Sequence, residues 1–87
     1  MEQVLVFERA LKHGLSEAQI LHAWRNAFVS AIIVRDDDNT DIVAIGFDQH
    51  GRAIEMTARE KPYGLLVYHA NTPPTSRAFK ELGLAGK

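Results

Sequence analysis

IVAIGFDQHGRAIEMTA, residues 42–58, sets two strand-like runs on either side of a short glycine-bearing turn. The arm from Asp41 to Asp48 is nearly continuously apolar, which suits a strand covered on both faces. The second arm alternates. Ile54, Met56 and Ala58 point one way and Glu55, Thr57 and Arg59 the other, the period-two pattern of a strand with one buried and one wet face. Gly51 supplies the positive φ that a tight connection needs after Gln49 and His50. A central hairpin follows, and its wet face is the place to look for chemistry.

Working outward toward the N-terminus, Val4 to Phe7 is a short apolar run that fits an edge strand or the first turn of a helix through Lys12, which periodicity does not separate; the edge strand is the favoured reading. Glu8 to His13 then reads as a short helix ending at Gly14, with Lys12 and His13 against the negative end of its dipole. Ser16 followed by Gln19 is a capping box, and Leu15 can staple onto Ile20, so a second helix begins here and runs to about Ala27. Its apolar stripe is Ile20, Leu21, Trp24 and Ala27, a packing surface in which Trp24 belongs to the core. Phe28 to Arg35 is a β-branched strand. The turn from Asp36 to Thr40 leads it back into the hairpin as a meander. Asp37, Asn39 and Asp41 stand at alternate positions as calcium ligands do. The sixth loop position is Ile42 rather than glycine and the twelfth is Asp48 rather than glutamate, so a solvated turn is the reading.

Toward the C-terminus, Lys61-Pro62-Tyr63-Gly64 is a second hairpin connection into a strand from Leu65 to Ala70. Plain alternation puts Leu65, Val67 and His69 on one face and Leu66, Tyr68 and Ala70 on the other. Pro73 and Pro74 end the strand. Thr75 or Ser76 caps a closing helix from Arg77 to Leu82, docked by Phe79 and Leu82. Such a chain of 87 residues is one domain, 1–87, of α+β class.

Composition narrows the function classes. There are no cysteines, which excludes a disulfide framework and a zinc-thiolate site. No apolar run approaches the roughly 20 residues that cross a bilayer, and no basic region precedes an apolar core at the N-terminus, so a cytoplasmic protein without a membrane partner is expected. The net charge of -1 is unevenly spread: residues 1–60 hold six Lys/Arg against ten Asp/Glu, and residues 61–87 hold four against one, giving -4 and +3. That asymmetry fits a local positive patch near the C-terminus, although a solvated helix face with a few lysines is the commoner source of such a pattern.

No nucleophile elbow, phosphate-binding glycine loop, zinc-binding helix or dinucleotide fingerprint is present. What remains is histidines and basic residues, which suffice for RNA cleavage. That reaction turns the substrate's own 2′-hydroxyl on the adjacent phosphate, and the protein supplies proton transfer and a cation for the developing charge. It needs neither metal nor cofactor. His13 and His69 are the acid-base candidates, because imidazole ordinarily titrates near neutrality; His50 is also available, and His22 faces solvent on the second helix. Arg77 and Arg52 are the candidate phosphate ligands, with Lys12 and Lys80 as secondary electrostatic contributors and Arg59 a further cation.

The order of these motifs resembles a known family. Lys12-His13-Gly14 before a capped helix, Ile45-Gly46 four residues before Gly51-Arg52, and then an apolar strand and a basic C-terminal helix are similar to BrnT-type toxins of type II toxin-antitoxin systems. The resemblance spans nearly the whole chain. It implies a small RelE-like α+β domain: two N-terminal helices, an antiparallel sheet of about four strands with a possible short N-terminal edge strand, and a short C-terminal helix. It also implies an endoribonuclease that cleaves mRNA and arrests translation, and a cognate antitoxin that neutralises it in a hetero-oligomer. RNA, including ribosome-associated message, is then the second partner. One position departs from the family. The family's last strand typically ends in Ile-Ser-Ala-Arg, and the matching segment here is Tyr68-His69-Ala70-Asn71, with a neutral amide in place of the arginine. The alternative of a non-catalytic module that binds a small cognate protein through a sheet edge therefore stays open.

Overall fold

In the computed structural model, which describes residues 3–84, the central hairpin is the middle of a five-stranded mixed sheet. The strands are β1 (Gln3–Val6), β2 (Ala27–Val34), β3 (Thr40–Phe47), β4 (Ala53–Lys61) and β5 (Gly64–Asn71), in the spatial order β1-β5-β4-β3-β2. β2 to β5 form an antiparallel meander, and β1 closes the far edge parallel to β5 with Val6 aligned on Val67. Among the described residues there are two α-helices, α1 (Glu17–Arg25) and α2 (Ser76–Glu81).

The RelE-like arrangement expected from the sequence is corrected by this topology. The sheet has five strands rather than about four, and it is mixed rather than antiparallel. In place of two N-terminal helices there is one, because Glu8–Gly14 winds as a 3-10 segment whose preceding residue, Phe7, offers no side-chain cap. Seven residues closed by glycine and lacking a cap have little to hold an α-helical nucleus together. α1 is the contrasting case. The Ser16 side chain accepts from the Gln19 backbone N–H at 3.1 Å, and the Ser16 N–H donates to Gln19 Oε1 at 2.8 Å. The cap read from the sequence is in place.

The two faces of the sheet carry different cargo. On one, Ile20 and Ala23 of α1, with Leu15 and Ala10, bury Ala44, Ile54, Met56, Ala58, Leu65, Val67 and Ala70. α1 lies close enough to β3 that a Cβ added at Gly46 would stand 1.9 Å from the Ala23 carbonyl oxygen. The absent side chain sets that approach. The other face holds Asp41, Val43, Ile45, Glu55 and Thr57, all buried, so the face expected to be wet is covered. α2 lies on that side, starting one residue earlier than expected and capped by the Thr75 hydroxyl, which accepts from the Ala78 N–H at 3.3 Å.

Candidate functional site

Asp41 anchors the second face. It is fully buried and aligned with Arg59 of β4, whose Nε donates to it at 2.8 Å. Arg35, just past β2, donates its own Nε at 2.8 Å, and the Tyr68 hydroxyl donates at 2.6 Å. Burial alone pushes this carboxyl up, but the hydrogen bonds from Arg59, Tyr68 and Arg35 outweigh it and hold the pKa down at about 2, against an ordinary 3.8. Tyr68 moves the other way. Burial, and then its bond to the Asp41 carboxylate, raise the phenol above its ordinary value. Arg35 also donates through Nη1 to Glu81 at 2.8 Å, which ties the C-terminal end of α2 to the end of β2. The hydrogen bonds to Glu81 and Asp41 raise the Arg35 pKa, so its charge is permanent.

The N-terminal end of α2 is held by a second buried acid, Glu55. One of its carboxylate oxygens accepts from the Thr75 backbone N–H, and the other, Oε2, lies 2.8 Å from Nε2 of His69. His69 is half exposed while Glu55 is buried, so the imidazole has one fixed partner and one side open to solvent. It reaches this position through a β-bulge. Ala58 aligns with Val67 and Thr57 with His69, leaving Tyr68 as the extra residue on β5. The plain alternation that grouped His69 with Leu65 and Val67 is corrected here: the bulge turns both Tyr68 and His69 away from the α1 side.

Between these two anchors lies a cavity of about 460 Å³. Its floor is Thr57, Tyr68 and the Glu55–His69 pair, α2 contributes Arg77, Ala78 and Glu81, and Phe7 and Arg9 enter from the chain just after β1. Three guanidinium groups, Arg9, Arg35 and Arg77, thus border a space with one hydrogen-bonded imidazole. Among these cations Arg77 is well exposed, its side chain being 79% exposed and 3.8 Å from Glu81. Comparison with protein-family models, with curated proteins and with solved structures gives no match. The site therefore rests on its own chemistry.

Of the residues singled out in the sequence, His69 and Arg77 meet in this cavity. Arg52 and Lys80 are not among its lining residues. Arg52 lies in the β3–β4 turn, where its Nε donates to Asp48 at 3.0 Å and the carboxylate also accepts the Arg52 and His50 backbone N–H groups. Lys80 is exposed on α2. The backbone of Lys12 and His13 belongs to the 3-10 segment, and their side chains lie outside the described residues. The sequence reading missed Glu55, Arg9 and Arg35. Glu55 was visible only as a wet-face residue of β4, and no local signal gives the register and bulge that set His69 against it. Among the described residues no group of three or more His, Asp or Glu side chains converges as a metal site. In the acidic turn, Asp37 accepts from the Asn39 N–H at 3.0 Å, an ordinary Asx turn.

Proposed function

We propose that the cavity is the active site of a metal-independent endoribonuclease, the toxin of a toxin-antitoxin pair that arrests translation in the cytoplasm by cleaving mRNA. The observation that carries this reading is the His69–Glu55 hydrogen bond of 2.8 Å in a cavity that Arg9 and Arg77 also line. In this reading His69 takes the proton from a 2′-hydroxyl as the oxygen attacks the adjacent phosphorus. The P–O5′ bond breaks, and the imidazolium returns the proton to the departing 5′ oxygen, leaving a 2′,3′-cyclic phosphate and a 5′-hydroxyl. Arg77 and Arg9 meet the charge that builds on the phosphorane, where a guanidinium fork suits two phosphate oxygens. Glu55 positions His69 by holding its Nε2 at 2.8 Å. The cognate antitoxin would neutralise the protein by covering this face.

A second reading, a non-catalytic module that binds a small protein, is favoured by two observations. Asn71 stands where the family that the sequence resembles has arginine, and β2 is a long uncharged strand whose outer edge has no partner among the described residues. Induced expression in a bacterium with and without the neighbouring open reading frame, followed by RNA end mapping, separates them. The expected result is growth arrest with discrete new 5′ ends. His69→Ala, folded by circular dichroism, is expected to lower cleavage by about 100- to 10,000-fold, the range of a general base, with Arg77→Ala also reduced. Folded wild-type protein that causes no arrest and leaves RNA intact overturns the ribonuclease reading.

A further inference from the structure

We propose that the outer edge of β2 is occupied by a second copy of this chain, paired antiparallel strand to strand about a two-fold axis near Ile32. β2 is the last strand of the sheet, so one side of its backbone has no partner among the described residues. Its eight residues, AFVSAIIV, contain no charge and no proline. Edge strands of monomers are commonly guarded by lysine, proline or brevity. Beyond a bulge at Phe28, β2 has none of these.

The direction of each backbone group follows from the β2–β3 ladder. Arg35 donates its N–H to the Asn39 carbonyl at 2.9 Å, so residue 35 faces β3. Alternation gives Ile33 and Ala31 the same direction and turns the N–H and C=O groups of Val34, Ile32 and Ser30 to the free edge. An antiparallel copy centred on Ile32 sets Ile32 against Ile32 and Ser30 against Val34. Every outward N–H of those residues then finds an outward C=O.

The side chains favour the same arrangement. Ile32 and Val34 are 71% and 68% exposed, although Ile32 is aligned with Ile42 on the face that α1 covers further in. Two copies would bury these β-branched side chains against one another across the axis. Charge selects the direction. Arg25, exposed at the end of α1, precedes β2, and the exposed Asp36, Asp37 and Asp38 follow it. An antiparallel copy brings the Arg25 end to the acidic turn of its partner, whereas a parallel one stacks two acidic turns. A two-fold contact uses both edges and closes at two copies, so it yields a dimer rather than a fibre.

Sedimentation of the full-length chain over about 1 to 500 µM, a range in which a small interface dissociates, reads the state directly. The expected species at the upper end has twice the 9.7 kDa chain mass. Ile32→Lys is expected to return it to one chain mass. Amide hydrogen exchange provides a readout within β2. Ser30, Ile32 and Val34 are expected to exchange about 10-fold or more faster in Ile32→Lys, or in wild type on dilution, while Ala31 and Ile33 stay protected by β3. If Ile32→Lys loses its fold, Val34→Lys and the dilution series read the same edge. A monomer throughout, a dimer undiminished by either lysine, an assembly that grows past two copies, or rapid exchange at Ser30, Ile32 and Val34 within the dimer overturns the proposal. The first of these outcomes would leave the edge to a different protein.

Discussion

Asp41 has no access to water and yet stays ionised, because Arg35, Arg59 and Tyr68 all donate to it. Its folded pKa, about 2, lies below the ordinary 3.8. The stabilisation this represents is therefore complete above about pH 4 and is lost as the pH falls through the folded value. The shift corresponds to about 2 kcal/mol. Unfolding free energies measured by urea between pH 7 and pH 2 should show that loss in the wild type below pH 4. Asp41→Asn should start lower at pH 7 and fall less over the same interval. Equal slopes would mean that the carboxylate is not what holds the two arginines.

At the scale of elements, the contact between α1 and β3 is governed by a missing side chain. Gly46→Ala places a Cβ 1.9 Å from the Ala23 carbonyl oxygen, and backbone on one side must move. A cost of about 1 to 3 kcal/mol is expected, as for other overpacked sites, visible as a lower denaturation midpoint with an unchanged slope. The elements themselves were legible in the sequence to different degrees. α1 was readable because its cap is local: Ser16 and Gln19 are three residues apart. The four strands of the meander were readable from their apolar runs and turns. The partner of β1 was not, since Val6 and Val67 are distant in sequence and nothing between them announces a parallel pairing. The candidate site divides along the same line. His69 and Arg77 stood out by chemical type alone, whereas the Glu55 contact depends on Tyr68 being bulged out, which alternation does not reveal.

At the scale of the whole molecule, the N-terminal segment has two tasks. Val4 and Val6 pack against the main core, and β1 covers the edge of β5. A chain lacking residues 1–7 should be destabilised by about 2 to 3 kcal/mol from the two valines alone. It should also aggregate with rising concentration through the uncovered edge; thermal unfolding and light scattering check the two effects. The same segment leads directly into Phe7 and Arg9, so the cavity has one wall from the beginning of the chain and another, Arg77 to Glu81, from near its end. That arrangement sets an order in time. During synthesis β1 emerges before β5 and has no strand to join until β5 has followed it, several seconds later at about 5 to 20 residues per second. A nascent chain can gather the meander while both walls are still apart, and the cavity comes into being only once α2 has followed the meander out of the ribosome.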